Sequence, residues 1–231
     1  MKKKKIIAIV LIAAALLSAF GGFSISSSAP EMAETISNAV FVSDGKVLAE
    51  NEGKVVIVPG TLYAEPFVDE ETGITVSSPV TFRNVERLYI EEKSEKDSDK
   101  KTKVWQWKVD MIGFGGDKKL VAPNVTLGEF AVDGDLIQSL TTNKKRQDYL
   151  DEELNQMGFT EFYKNGITYL YQGERMPNND DGIDSVNVGF EKNAYLDYVG
   201  TYRVNYTEMD AGPDFTIIAL QQNGRLVRVP C

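Results

Sequence analysis

The first strong pattern in the chain is the β-branched run from Lys54 to Gly60. Its sequence, KVVIVPG, ends in Pro-Gly and therefore predicts a buried strand that enters a turn. Asn51-Glu52-Gly53 separates this run from residues 46–50, and the spacing predicts a β-hairpin between 46–50 and 54–58. A sheet is thus expected early in the chain.

A longer pair of strands is predicted in the middle of the chain. Residues 80–92 alternate imperfectly between two faces, and residues 104–111 alternate with Trp105 and Trp107 on one face. The segment between them, 93–103, has no apolar residue and predicts a solvated hairpin tip. We expect the tryptophans to pack in the core or on a sheet face rather than to form a ligand cage.

The final third of the chain has the clearest strand signals. Asn-Gly permits positive φ at both central positions of a turn, which a type I′ hairpin requires. Two such turns lie between β-rich segments, namely Lys164-Asn165-Gly166 between 159–163 and 167–171, and Asn223-Gly224 between 215–222 and 225–229. A further strand is predicted over 200–206, with Tyr202, Val204 and Tyr206 on one face.

Helices are predicted beside these strands. Residues 30–43 begin with Pro30 and have apolar residues at roughly helical spacing, which predicts a helix. A second helix, with an acidic N-terminus, is predicted to begin at Asp133. A third helix is predicted over 145–157 and ends at Gly158. Its apolar side would hold Tyr149, Leu150, Leu154 and Met157. We therefore predict an α+β fold, mainly antiparallel β-hairpins with two or three packed helices, behind an N-terminal membrane helix.

The N-terminus predicts where this fold is located. Lys2 to Lys5 precede an apolar run of eighteen residues, 6–23, which as a helix would reach roughly 27 Å and can just span a bilayer. Since positive residues stay in the cytoplasm, the residues from Glu31 onward are predicted to be extracytoplasmic. A cleaved signal peptide has the same pattern, and the protein would then be secreted. The poor cleavage sites around Gly22, Ser24 and Ala29 favour an uncleaved anchor.

We divide the chain into three parts on this basis. Residues 1–29 form the cytoplasmic Lys tail and the membrane anchor or signal segment, 30–45 a short stalk helix and linker, and 46–231 an extracytoplasmic α+β domain. The expected protein is a single-pass membrane protein with a cytoplasmic N-terminus. A Lys-rich start before a short apolar run suits a bacterial cell membrane.

Composition excludes several classes of function. The chain has a net charge of −9, and residues 31–231 carry 21 positive and 34 negative side chains, a net charge of −13. Such a surface repels phosphate backbones, so no nucleic-acid partner is expected. The chain has no histidine, which excludes histidine-based triads and zinc motifs. Its single cysteine, Cys231, can form neither an intramolecular disulfide nor a cysteine-cluster metal site.

Two segments are similar to ligand-binding loops without meeting their requirements. Gly113-Phe114-Gly115-Gly116 is glycine-rich but lacks the Lys-Ser/Thr ending that a phosphate loop has at a helix start. The acidic loop 176–184 does not match the spacing of a calcium loop and lacks its distal glutamate. No catalytic, cofactor-binding or metal-binding residue is therefore assigned, and no cofactor is expected. Asn124 and Asn205 begin formal glycosylation sequons in or beside predicted strands.

Four parts of the sequence, in order, carry a family resemblance. They are Glu50-Asn51-Glu52-Gly53-Lys54-Val55-Val56; Arg83 with Val85-Glu86-Arg87-Leu88-Tyr89; Ala122-Pro123-Asn124-Val125 with Leu127-Gly128-Glu129-Phe130; and Gly200 with Arg203-Val204-Asn205-Tyr206, followed by 217–222 and 225–227. Behind an N-terminal apolar run, this order resembles the extracytoplasmic domain of the transmembrane protein 43 family, also called LUMA. The resemblance covers residues 45 to 229.

The resemblance implies a membrane-bound organiser of protein complexes, which in animals lies at the endoplasmic reticulum and inner nuclear membrane. No catalytic residue belongs to the family pattern. The family also has several membrane helices after this domain, and the sequence reaches Cys231 without them. The chain is therefore expected to be either truncated or a reduced member with one anchor.

We therefore expect a non-enzymatic, membrane-anchored extracytoplasmic module that binds or organises other envelope or membrane proteins. One alternative is a hydrolase that uses only carboxylates, which requires two close carboxyl groups with raised pKa values in a cleft. The other alternative is a secreted binding protein released by signal cleavage.

Overall fold

A computed structural model describes residues 29–94, 101–172, 202–210 and 215–230. The proposed anchor at 6–23 and the acidic loop at 176–184 lie outside the described residues, so both remain predictions from sequence. Within the described ranges, no helix is both long enough and apolar enough to cross a membrane.

The described residues form a mixed α+β fold in which most strands are antiparallel, and this part of the predicted class is confirmed. The helices are α1 (Ala29–Asn38), α2 (Gly134–Gln138) and α3 (Asp151–Met157). The strands are β1 (Val40–Phe41), β2 (Val55–Gly60), β3 (Leu62–Ala64), β4 (Phe67–Val68), β5 (Thr75–Val76), β6 (Val80–Ser94), β7 (Lys101–Val109), β8 (Lys118–Val121), β9 (Val125–Leu127), β10 (Phe130–Val132), β11 (Lys144–Lys145), β12 (Phe159–Lys164), β13 (Ile167–Gln172), β14 (Tyr202–Glu208), β15 (Phe215–Gln222) and β16 (Arg225–Val227).

The strands form two large sheets and one small hairpin. The first sheet has the order β1-β2-β15-β16-β10-β9-β3, with parallel pairing at β1–β2 and β10–β16 and antiparallel pairing elsewhere. The second sheet has the order β12-β13-β14-β6-β7, with β8 paired to β6 and β11 paired to β14. Strands β4 and β5 pair only with each other among the described residues.

Each large sheet has its own apolar core. The core of the first sheet includes Val56, Val58, Leu127, Phe130, Ile217, Ala219 and Leu226. The core of the second sheet includes Ile74, Val76, Val85, Leu154, Leu170, Val204 and Tyr206. Phe67 on β4 packs against both cores, so the small hairpin links the two sheets. Burial of a Val, Leu or Ile side chain in such a core stabilises the fold by about 1.5–3 kcal/mol.

The two predicted Asn-Gly hairpins are confirmed. Asn165 and Gly166 have φ values of 53° and 78°, and Asn223 and Gly224 have φ values of 51° and 73°. Strand β12 pairs with β13 around the first turn, and β15 pairs with β16 around the second. Both central residues of each turn have the positive φ that Asn and Gly tolerate, so local chemistry alone set these turns.

The predicted hairpin between 46–50 and 54–58 is wrong. Residues Ala49–Asn51 form a short 3-10 turn, and β2 pairs with the distant β15 and with β1. The turn is attached to β15 instead, because the Gln221 side-chain amide donates to the Leu48 carbonyl at 2.7 Å and Gly53 N–H donates to the Gln221 carbonyl at 2.9 Å. A β-branched strand buries more apolar area between two neighbours than in an isolated hairpin.

Two helices are shorter than predicted. Helix α1 ends at Asn38 because the next residues form β1, and α3 begins only at Asp151 because β11 pairs with β14. Leu150, predicted on the apolar side of the helix, precedes it and is 70% exposed, whereas Leu154 is buried. Gly158 ends the helix in the left-handed conformation, as predicted.

Candidate interaction site

The loop between β7 and β8 exposes apolar side chains. Val109, Met111 and Ile112 are 58%, 73% and 83% exposed, and we refer to these three residues as the apolar tip. The sequence pattern had placed residues 104–111 in one strand, but β7 ends at Val109. Met111 and Ile112 therefore lie beyond the end of the strand, and the side chains of all three residues lie outside the two cores.

Asp110 fixes the conformation of the apolar tip. Its carboxylate accepts hydrogen bonds from the backbone N–H groups of Gly113 and Ile112, at 2.7 and 2.8 Å, and from the Tyr89 hydroxyl at 3.1 Å. The Asp110 N–H donates to the Val85 carbonyl at 2.9 Å, which joins the loop to β6. These donors, Gly113 above all, lower the pKa of Asp110, although its burial acts in the opposite direction. The loop is thus held by charge-assisted hydrogen bonds at neutral pH.

The glycine-rich segment after the tip has a packing role. A Cβ atom on Gly113 would lie 2.1 Å from Cε1 of Tyr202, so a side chain does not fit there. The Phe114 ring packs against Phe159 and Tyr202, with centroid distances of 5.6 and 5.8 Å. Gly116 has φ of 70°, which favours glycine, and directs its carbonyl towards β6. The glycines allow the loop to lie close against the second sheet.

A buried ion pair holds the loop between β7 and β8 against β6. Arg83 on β6 and Asp69, in the loop between β4 and β5, are 0% and 3% exposed. Nη1 of Arg83 donates to the two carboxylate oxygens of Asp69 at 2.5 and 2.7 Å. Nε and Nη2 of Arg83 both donate to the Gly116 carbonyl at 3.2 Å. One guanidinium therefore joins the small hairpin, β6 and the loop that carries the apolar tip.

Two hydroxyl groups complete this buried network. The Tyr206 hydroxyl on β14 donates to Asp69 Oδ2 at 2.8 Å. The Thr72 hydroxyl lies 2.6 Å from the Tyr206 hydroxyl. Burial and the nearby Asp69 carboxylate raise the pKa of Tyr206, so its hydroxyl stays protonated and can donate. The network has every charged group paired, as a buried ion pair requires.

A second charged cluster lies on the opposite face of the second sheet. The Arg203 guanidinium is 4.0 Å from the ring centroid of Tyr169 and 4.3 Å from that of Trp107. Its Nε donates to the Glu86 carboxylate at 2.7 Å, and this interaction raises the pKa of Arg203 against the effect of burial. Trp107 also meets the Tyr171 ring edge-on, with centroids 5.7 Å apart. Trp107 thus packs on a sheet face, as predicted, with its ring against the Arg203 guanidinium.

A third cluster joins β5, β14 and α3. The Arg146 guanidinium lies 4.5 Å from the Tyr149 ring centroid, and its Nη1 donates to the Thr75 carbonyl at 2.6 Å and lies 3.7 Å from Glu208. The Glu153 carboxylate accepts from the Thr75 N–H. Burial raises the pKa of Glu208, and the largest opposing influence is the Arg146 charge. Glu208 on β14 therefore forms an ion pair with Arg146, and the pair links β14 to the segment before α3.

The outer face of the first sheet has an apolar patch. The outward residues that are apolar are aligned across β2, β15 and β16 by register, whereas Thr216, Gln222 and Arg225 on the same face are polar. Phe41 on β1 is exposed at the end of one cross-strand row, next to Ile57 and Ile218. We define the outer face as Phe41, Val55, Ile218, Leu220 and Val227, the last four of which are half-buried.

The residues singled out in the sequence have the following places. Asn124 is exposed before β9, and its side-chain amide donates to Glu65 at 2.7 Å, whereas Asn205 is buried on β14 and accepts from Asn84 at 3.1 Å. In the part of the chain that the structure describes, no three Cys, Asp or Glu side chains are grouped so as to hold a metal ion. No sequence pattern marks Asp69, and Arg83 stands out in the sequence only through the family resemblance.

We compared the chain with family models, curated proteins and solved structures, and none of the three comparisons found a match. The proposals below therefore depend on the sequence and on these surfaces.

Proposed function

We propose that this protein is a non-enzymatic module, anchored in a membrane by residues 6–23, whose extracytoplasmic domain binds and organises other membrane or envelope proteins. The resemblance to the transmembrane protein 43 family supports the same assignment. The observation that carries the proposal is the apolar outer face of the first sheet.

An antiparallel sheet with one solvated face normally has polar residues on that face. On β2 and β15 both faces carry apolar residues: Val56 and Ala219 face the core, while Val55 and Leu220 form a cross-strand pair on the outer face. Phe41 adds an exposed aromatic ring at the sheet edge. Ile57, which lies between Phe41 and Ile218, is buried, and the patch consists of Phe41 with half-buried neighbours. A group of partly exposed apolar side chains of this kind fits a protein interaction site.

The expected partner is a membrane or envelope protein with an apolar surface and a basic rim. Residues 31–231 have a net charge of −13, so electrostatic complementarity favours a basic partner and speeds its association.

Photo-crosslinking in intact cells tests the partner proposal. A photoreactive residue at Leu220 on the outer face should yield an adduct with a membrane protein that is also obtained from position 41. The matched control is Tyr163, which is exposed on the second sheet. Because Phe41 is exposed, Phe41→Ser should reduce the adduct from position 220 several-fold without unfolding the protein. Equal adducts from position 163, or none from the outer face, would contradict the proposal.

Cysteine labelling tests the membrane placement separately. In a Cys231→Ser background, the exposed Glu50→Cys should react with a membrane-impermeant maleimide in intact cells. Val56→Cys, at a buried position, should react only after denaturation. Labelling of position 50 that requires permeabilised cells would exclude an extracytoplasmic domain, and a chain found free in the medium would favour the secreted alternative.

A further inference from the structure

The apolar tip is a surface feature that the proposed protein-binding face does not use. Met111 and Ile112 are the two most exposed large apolar residues among those described, and Val109 adjoins them. Burial of such side chains would be favourable, so their exposure to water has a free-energy cost. The conformation that exposes them is held by the Asp110 carboxylate and, through Gly116, by buried Arg83. The tip is therefore presented rigidly.

Exposed lysines lie on either side of the tip, whereas the two carboxylates of the same loop, Asp110 and Asp117, accept backbone hydrogen bonds within the loop and from β6. Lys108 precedes the tip and Lys118 follows the loop, and both are exposed. Residues 31–231 as a whole are strongly acidic, with a net charge of −13. Apolar side chains flanked by lysines match the interface of an anionic bilayer, where the apolar groups enter the acyl boundary and the lysines contact the headgroups.

We propose that the apolar tip inserts into the headgroup region of the anionic bilayer leaflet that faces the domain. The inference rests on the proposed membrane anchoring and adds a second contact between the domain and the lipid. The tip thus contacts a lipid surface.

The size of the tip favours lipid over a protein partner or a second copy. Three side chains offer on the order of a few hundred Å², whereas a stable protein interface buries about 800 Å² on each partner. A bilayer needs no such area here, because a neighbouring anchor in the same chain keeps the lipid at a high effective concentration. A weak individual contact therefore suffices to orient the domain.

Fluorescence quenching of the full chain in liposomes tests this inference. In a Cys231→Ser background, Ile112→Cys carries an environment-sensitive NBD label, and Glu50→Cys carries the same label as a control at an exposed site in the 3-10 turn before β2. Doxyl groups on the acyl chains should quench the label at position 112 several-fold more than the label at position 50. Quenching at position 112 should fall in zwitterionic vesicles and with Lys118→Glu.

The outcomes separate this inference from the proposed function. Flotation of the chain with the vesicles reports on anchoring, whereas quenching reports on the tip. A chain that floats while the label at position 112 stays in water would overturn the insertion and leave the anchor intact. Quenching that depends on protein density and not on doxyl lipid would assign the tip to a second copy and would also overturn the inference.

Discussion

Asp69→Asn should strongly destabilise the fold, because among the described residues Asp69 is the only carboxylate that forms an ion pair with the buried Arg83 guanidinium. Asn conserves the volume and leaves the Gly116 carbonyl as an acceptor, at 3.2 Å. It removes the charge from a site where both partners are almost fully buried. Breaking a buried ion pair by removal of one partner costs about 3–5 kcal/mol. Since domains are stable by about 5–15 kcal/mol, this is a large part of the total.

A double-mutant cycle measures how much of this cost belongs to the pair. Pulse proteolysis of the full chain in urea and mild detergent gives the free energy of unfolding of Asp69→Asn, Arg83→Met and the double variant. The double variant should cost less than the sum of the single variants, because neither charge is then left unpaired. Tyr206→Phe is the matched control, since it removes one neutral hydroxyl donor from Asp69 and should cost about 0.5–1.5 kcal/mol. Additive costs, or an Asp69→Asn cost no larger than that of Tyr206→Phe, would refute the assignment of a stabilising ion pair.

Two further predictions concern the loop that carries the apolar tip. Asp110→Asn should lower the free energy of unfolding at pH 7 and should lower it by less at pH 3, which is below the ordinary pKa of the carboxyl group. The pKa of Asp110 is below its ordinary value of 3.8 in the folded state, so its stabilisation is present above that value and is lost as the pH falls through the lowered pKa; equal costs in urea unfolding at both pH values would contradict this. Gly113→Ala should cost about 1–3 kcal/mol through its clash with Tyr202. Gly134→Ala is the control, because a Cβ there meets nothing within 4 Å and a helical alanine should be neutral or stabilising; similar costs at both glycines in thermal unfolding would rule out the clash.

Local signals were sufficient where local interactions decide the conformation. The Asn223-Gly224 turn follows from the positive φ that these residues tolerate, and Gly158 ends α3 for the same reason. Asp133 caps α2, since its carboxylate accepts the Asp135 N–H at 3.0 Å, in agreement with the predicted acidic start. Each of these interactions joins residues within a few positions of one another, so the sequence contains all of the information needed.

The buried ion pair that holds the loop of the apolar tip could not be predicted from local sequence signals. Arg83 lies in a strand with imperfect alternation, and its partner Asp69 lies fourteen positions earlier in a loop. The pair forms only because the small hairpin packs onto the second sheet, and no spacing rule encodes that packing. The exposure of Met111 was missed for a related reason: the predicted strand 104–111 included it, whereas in the structure Asp110 ends the strand by accepting the Ile112 N–H.

The sequence by itself determined the class of the fold, both Asn-Gly hairpins, the helix ends at Asp133 and Gly158, and the absence of histidine and of a second cysteine. Only the tertiary structure decided which strands β2 joins, which side chains share a buried charge, and which apolar residues remain exposed. The reason is physical. Turn and cap preferences act between neighbours in the chain, whereas strand partners and burial depend on surfaces that segments far apart in the sequence bring together.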